Sequence, residues 1–184
     1  MILNGWLLPA IALHKPSPNF NARPELVDVS LLVVHNISLP PGEFGNGCID
    51  QFFLNQLDSS QHSYFQTIAD LCVSAHCMIS RAGVITQYVS FDERAWHAGQ
   101  SCFDGIDDCN NYSIGIELEG TDTTPYTHQQ YVALVELTRM LQLAYPQITD
   151  SRIVGHCDIA PGRKTDPGDA FDWSLYRGKL ALGV

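Results

Sequence analysis

Basic residues are scarce in this chain: Lys and Arg total 10 against 20 Asp and Glu, for a formal net charge of −10. Nucleic acid and anionic membrane surfaces both demand a basic face, so neither is expected as the main partner. Arg163 and Lys164 adjoin, and they leave a local positive field available to an anionic small-molecule substrate. No apolar stretch is long enough to span a membrane. No Lys or Arg precedes Lys15, and Asn4, Gly5 and Pro9 interrupt the apolar start. That start therefore does not read as an export signal, although Ala10-Ile11-Ala12 has the small residues of a cleavage site. The expected compartment is the cytoplasm. There is no CxxC pair and no repeating spacing among Cys48, Cys72, Cys77, Cys102, Cys109 and Cys157. An even count permits disulfides in a secreted protein, but a chain of 184 residues does not need them, and free thiols in a reducing compartment are expected. Internal repeats and low-complexity tracts are absent too. With 45% hydrophobic and 16% charged residues, disorder is excluded. One domain over residues 1–184 is expected, its core at about 28–178, acting as a monomer.

What the chain does have is a concentration of chemistry between Gly155 and Gly168. The run Gly155-His156-Cys157-Asp158-Ile159-Ala160-Pro161-Gly162-Arg163-Lys164-Thr165-Asp166-Pro167-Gly168 puts an imidazole, two cations and a carboxylate on one segment. Its Gly and Pro punctuation suits neither a regular helix nor a central strand, so a surface loop is expected. Loops held by a rigid scaffold are where ligands and catalytic groups tend to sit. His156 and Asp166, bent towards each other by Pro161 and Pro167, can supply two ligands to one metal ion; a third must come from elsewhere. Leu31-Leu32-Val33-Val34-His35-Asn36 is apolar on both faces and predicts a central strand covered on both sides. His35 emerges where that strand ends. Alone, such a histidine is more often a polar cap on the sheet than a ligand. Beside the 156–166 loop it becomes the natural third ligand.

In chain order, residues 1–13 read as an extended edge segment and 14–24 as a Pro/Asn-rich connector with His14 exposed. Residues 38–47 form an irregular loop after His35, either a cleft wall or a connection without chemistry. Short helices are expected over 48–57 and 61–71, with His62 at the surface. Residues 74–79 and 84–91 predict a β-hairpin turning at Arg81-Ala82-Gly83, with His76 a hydrogen-bonded core histidine. Trp96-His97-Ala98-Gly99 falls in a loop that suits a sugar or peptide groove, or equally a Trp plugging the core edge. Over Ser113–Glu119 the alternation is strict: Ile114, Ile116 and Leu118 share one face, and Ser113, Gly115, Glu117 and Glu119 the other. The plain reading of these carboxylates is a solvated strand face. Gly115, however, leaves open space beside Glu117 of the kind a substrate backbone requires. Thr127 and Gln130 make a capping box for the clearest helix, which buries Tyr131, Leu134, Val135, Thr138 and Leu141 and stops at Pro146. A short strand over 151–154 and a terminal helix over 171–180 complete an α/β fold: one domain, a central mixed β-sheet flanked by helices.

Five blocks carry a resemblance: Leu32-Val33-Val34-His35-Asn36, Ser74-Ala75-His76-Cys77, Ala95-Trp96-His97-Ala98-Gly99, Ser113-Ile114-Gly115-Ile116-Glu117, and the segment opening at Gly155-His156 and closing on Lys164-Thr165-Asp166-Pro167-Gly168. In this order they resemble zinc-dependent N-acetylmuramoyl-L-alanine amidases, over a span from about Trp6 to Trp173. The run from Asn36 to Gly45 is closer to cytoplasmic members that act on anhydro-muropeptides in cell-wall recycling than to phage or extracellular relatives. The resemblance implies the fold shared with peptidoglycan-recognition proteins and a zinc ion held by His35, His156 and Asp166, a set that leaves a position for water. Cys157 competes with Asp166 as a thiolate ligand, but Asp166 matches the family position. Glu117 is implied as general base and Lys164 as the cation facing the oxyanion. Asn36, Trp96 and His97 would line the substrate groove, and Arg163 would meet a peptide carboxylate. The implied reaction is hydrolysis of the amide joining 1,6-anhydro-N-acetylmuramic acid to the L-alanine of its stem peptide.

Cys72 and Asp108 stand where the family pattern has arginine, which predicts a shifted peptide preference or weaker affinity and unchanged metal chemistry. Two other readings are a zinc amidase of intact peptidoglycan and a non-catalytic muropeptide-binding module. The acidic charge and the missing export signal count against the first, the filled ligand and catalytic positions against the second. A hydrolase built on Cys157 lacks an activating base.

Overall fold

The computed structural model describes residues 1–182. The first 24 residues carry four short strands, β1 (Ile2–Leu3), β2 (Trp6–Leu7), β3 (Ala12–His14) and β4 (Phe20–Ala22). β1 and β2 form a small ribbon turning at Asn4 and Gly5, both at positive φ. β4 corrects the expectation of a plain connector over 14–24, because it pairs with a strand some seventy residues away, described below. Then come β5 (Leu31–Ile37) and two short helices, α1 (Cys48–Phe53) and α2 (Ser63–Ile68). Both helices are shorter than expected. Asn55 takes a left-handed φ of 57 soon after α1, and α2 starts only where His62 Nδ1 accepts from Tyr64 N at 3.1 Å.

β6 (Cys77–Ile79) and β7 (Ile85–Gln87) make the expected hairpin, trimmed at both ends. Ser74 and His76 give their backbone N–H groups to Trp96 O and Gly115 O instead, at 3.1 and 3.0 Å. β8 (Glu93–Ala95) is the partner of β4, and β9 (Cys102–Phe103) with β10 (Ile106–Asp107) forms another small ribbon. β11 (Ser113–Glu119), α3 (His128–Ala144), β12 (Ile153–Gly155), α4 (His156–Ile159) and α5 (Trp173–Ala181) follow.

Six of the strands form one mixed sheet in the order β12-β5-β11-β6-β7-β3. The first four run parallel, β7 opposes β6, and β3 runs parallel to β7 at the edge. β5 and β11 lie inside, as their apolar faces require. On one face Leu32, Val34, Ile114, Ile116 and Leu118 pack with Leu134 of α3 and Tyr176 of α5. Burying each such aliphatic side chain stabilises the fold by about 1.5–3 kcal/mol. α3 opens on the expected capping box, Gln130 N reaching Thr127 Oγ1 at 3.1 Å and Thr127 N reaching Gln130 Oε1 at 3.0 Å. On the other face Leu31 and Val33 meet Ala98, Tyr112 and Ile159, while Met78 meets Phe53 of α1 and Phe65 of α2. The arrangement is the expected single domain, a mixed sheet between helical layers.

Candidate metal and catalytic site

Parallel strands end on the same side of a sheet, where open α/β folds place their ligands. Here the register makes Glu117 the partner of His35, and Gly155 the partner of Val34. His156 follows Gly155 and therefore arrives beside His35. The segment after it corrects one expectation: it begins with a helical turn, α4, before becoming a loop. Asp158 Oδ2 accepts from Gly155 N at 2.7 Å to start that turn. Cys157 N then donates to Asp166 O at 3.0 Å, folding the loop back so that Asp166 stands over His156.

The three expected ligands converge. His35 Nδ1 and His156 Nδ1 lie 2.9 Å apart, and each is 3.0 Å from Asp166 Oδ2. Cys157 is outside this group. Burial and the Asp158 charge raise its thiol pKa. His156 Nε2 is 3.0 Å from Ala98 O, which only accepts, so that nitrogen carries the proton and Nδ1 presents a lone pair. That lone pair faces a carboxylate oxygen. A single proton on His35 Nδ1 leaves this contact acceptor against acceptor, whereas a divalent cation between the three atoms satisfies all of them. Burial drives the His35 pKa down to about 4 against the opposing effect of its hydrogen bond to Asp166, which favours the neutral, ligating form. Burial acts to raise the Asp166 carboxyl, but the His156 and His35 rings beside it outweigh that effect and hold the group well below the ordinary carboxylate range. A tetrahedral ion with bonds of about 2.0–2.2 Å spaces its ligands by roughly 3.3 Å, close to the triangle seen here. The donor set, two imidazoles and a carboxylate, fits zinc.

Behind His35 stands His97. Its Nδ1 is 2.9 Å from His35 Nε2 and its Nε2 is 3.0 Å from Ser113 Oγ. This overturns the expectation of open space beside Gly115: a Cβ there would lie 2.4 Å from His97 Cγ. The solvated strand face is overturned as well, since all seven residues of β11 are buried. Glu119 is bound to the fold, its two carboxylate oxygens accepting from Gly45 N and Arg81 N. Glu117 is different. It is 9% exposed, and its Oε2 has no hydrogen-bond partner among the described residues. Burial, reinforced by the Asp166 charge, raises its pKa well above the ordinary value, while Lys164 acts in the opposite direction.

Glu117, Lys164 and the three ligand residues border one cavity of about 570 Å³. Its far wall is apolar, with Leu39, Phe52, Tyr64, Ile68 and Leu71, mostly from α1, α2 and the segment following them. Asn36, Trp96, His97 and Arg163 also border it. Asn36 Nδ2 donates to Asp122 Oδ1 at 2.8 Å and to Pro167 O at 3.1 Å. Trp96 Nε1 donates to Asn21 Oδ1 at 2.7 Å. Arg163 Nη2 donates to Ala98 O and Gln100 O, each at 2.6 Å, so its guanidinium is engaged by backbone carbonyls. Cys72 is exposed between the cavity residues Leu71 and Val73, and Asp108 is exposed at a left-handed φ of 55.

Sequence reasoning missed the supports. Arg23 lies in the segment read as a connector, yet its guanidinium donates to the carbonyls of Asn110, Asn111, Phe91 and Ser113 at 2.9–3.1 Å. Burial lowers its pKa to about 10. His76 behaves as expected, a buried histidine whose Nδ1 accepts from Gly115 N at 3.0 Å. Asn110 Oδ1 accepts from His97 N at 3.1 Å and Ala98 N at 2.8 Å, fixing the loop that carries Trp96 and His97. No spacing in the sequence marks these contacts, which join segments far apart in the chain.

Residues 25–169 match the family of N-acetylmuramoyl-L-alanine amidases. The chain is 56% identical over 180 residues to the 1,6-anhydro-N-acetylmuramyl-L-alanine amidase AmpD of Enterobacter cloacae, covering 98% of this chain and 95% of that one. It is 35% identical over 127 residues to the N-acetylmuramoyl-L-alanine amidase AmiD of Escherichia coli, covering 60% of this chain and 46% of that one. Among solved structures, a selenomethionine derivative of AmpD matches with a TM-score of 0.94 at 54% identity, covering 98% of this chain and 99% of that one.

Proposed function

The chain belongs to the N-acetylmuramoyl-L-alanine amidase family, and from that premise we propose that it hydrolyses the amide between 1,6-anhydro-N-acetylmuramic acid and the L-alanine of a stem peptide. The near-full-length identity to an amidase named for that substrate carries the choice of substrate. The cavity that joins three converging ligand residues to an unpaired buried carboxylate supports the chemistry. His35, His156 and Asp166 would hold zinc, which when bound polarises a carbonyl and acidifies a water at neutral pH.

Glu117 takes the proton of the attacking water on Oε2, the atom with no other partner. The water oxygen adds to the lactyl carbonyl carbon, the C–N bond breaks, and Glu117 returns the proton to the departing alanine nitrogen. Lys164 presents positive charge to the oxyanion formed between these steps. Trp96 lends its ring to the groove wall. Asn36, His97 and Arg163 shape that wall while their polar atoms hold neighbouring segments. The products are a free lactyl carboxylate on the sugar and a free peptide amine.

Among the described residues no helix is long and apolar enough to cross a membrane. A cytoplasmic monomer that recycles cell-wall fragments, with neither nucleic acid nor membrane as partner, is the setting we propose.

The test is mass spectrometry of products from a defined anhydro-muropeptide and from its reducing-sugar counterpart, with and without a chelator. Release of peptide from the anhydro form alone, lost on chelation and restored by zinc, is the expected result. Cleavage of both sugars would replace this reading with a broader peptidoglycan amidase. Binding without cleavage would replace it with a recognition module.

A further inference from the structure

Asp122 lies three residues beyond the end of β11 and touches each segment that supplies the site. Asn36, the residue after His35, gives its amide N–H to Asp122 Oδ1 at 2.8 Å. Thr165, between Lys164 and Asp166, gives its hydroxyl to Asp122 Oδ2. The Asp122 carbonyl accepts from Ala170 N at 2.9 Å. The approach is close enough that a Cβ on Gly168 would lie 2.2 Å from Asp122 Cα, so only glycine fits there. A single residue leaving the strand of Glu117 is therefore tied to the strand of His35 and to the loop of Lys164 and Asp166. Pro167 O is held from the same side, by Asn36 Nδ2 at 3.1 Å and Tyr126 Oη at 2.8 Å.

From this geometry we infer that Asp122 is a positioning residue, setting the distance between the end of β5 and the Lys164–Asp166 loop; the inference deepens the amidase reading and rests on it. Hydrogen bonds to an ionised carboxylate are short and strong, so both of its oxygens hold their partners firmly. Without the bridge, Thr165 loses its tie to Asp122 and Asp166 is held only through its own carbonyl and that of Pro167, by Cys157 N, Asn36 Nδ2 and Tyr126 Oη. Groups that orient metal ligands in this way change metal affinity without touching the metal. Asp122 also borders the cavity. A direct contact with substrate is thus the competing role, and it makes a different prediction.

The experiment compares the full-length wild type with Asp122→Ala, Thr165→Val and the double variant. Zinc dissociation constants come from competition with a chromogenic chelator, and kcat and KM from anhydro-muropeptide hydrolysis at saturating zinc. Asp122→Ala is expected to weaken zinc binding by about 10–100-fold, to lower kcat at least about tenfold and to leave KM within about twofold. Thr165→Val should weaken zinc binding in the same direction, and the double variant should be little worse than Asp122→Ala, because both changes break one bridge. A raised KM with unchanged zinc affinity and kcat would overturn the inference in favour of a substrate contact. No change in any of the three would overturn it outright. Should Asp122→Ala fail to give a cooperative melt, Thr165→Val decides by the same readings. A wild type that binds zinc without cleaving substrate would sink the amidase reading, and the zinc measurements would still decide the role of Asp122; a wild type that binds no zinc would overturn both.

Discussion

His35 and Glu117 are register partners on adjacent parallel strands, so strand pairing alone brings a proposed metal ligand beside a carboxylate whose Oε2 has no partner among the described residues, at one end of the sheet. Neighbouring strands are about 4.8 Å apart, a separation that a small reacting group can bridge. Every strand turn between Leu31 and Ile37 is buried or half-buried against the same scaffold.

Glu117→Gln should lower turnover by about 10²–10⁴ while making the metal-free protein more stable near neutral pH. Burial raises the pKa of this carboxyl in the folded state. The stability it contributes is therefore complete below its unfolded pKa of about 4.3 and is lost as pH rises through the folded value. Glutamine cannot ionise and escapes that loss. Thermal melts should show a higher Tm for the variant at about pH 7 and no difference near about pH 4. A lower Tm at neutral pH would contradict the burial argument.

Lys164→Ala should cost about 10²–10³ in kcat, the usual effect of removing one donor to an oxyanion. Lys164 is exposed, so the melt should hardly change. Zinc content after dialysis should match the wild type. Undiminished kcat would take Lys164 out of the reaction.

Gly115→Ala places a methyl group 2.4 Å from His97 Cγ, at the base of the ring where it cannot swing aside. Overpacking of this kind costs about 1–3 kcal/mol. Because His97 contacts His35 Nε2, zinc affinity should fall together with stability. Urea titration and chelator competition on the same preparation measure both, and a variant with normal values of each would mean that the ring has room to retreat.

Thr127→Ala removes one half of the capping box of α3 and a bond from Thr127 Oγ1 to Arg81 O of 2.8 Å. The expected cost is about 0.5–2 kcal/mol, with kcat and KM of the folded fraction unchanged. A loss of kcat would reveal coupling between the start of α3 and the site.

Much of this was legible because the periodicities are strong and local. Leu31 to Val34 announced a strand covered on both faces, and the alternation over Ser113–Glu119 fixed which side chains share a face. It did not show that both faces are buried: Gly45 N and Arg81 N occupy the Glu119 carboxylate, and the His97 ring covers the same face at Gly115. His156 and Asp166 were readable from one Gly- and Pro-marked segment. Their supports were not: Arg23 donates to four backbone carbonyls, Ser113 O among them, and Asn110 Oδ1 accepts from His97 N and Ala98 N, hydrogen bonds that leave no pattern in the chain. The apolar wall from Phe52 to Leu71 was hidden for a different reason, because short amphipathic helices look alike whether they cover a core or border a cavity.

The pairing order of the sheet also dictates when the site can first exist. β12, which delivers His156, lies beside β5, made some 120 residues earlier, and Asp166 follows later still. A chain emerging from the ribosome thus holds one of the three proposed ligands for most of its synthesis, with β5 and β11 already able to pair. On the proposed ligand set, metal capture would wait until residues beyond Asp166 are available, and metal uptake would then report that the last strand of the sheet has docked.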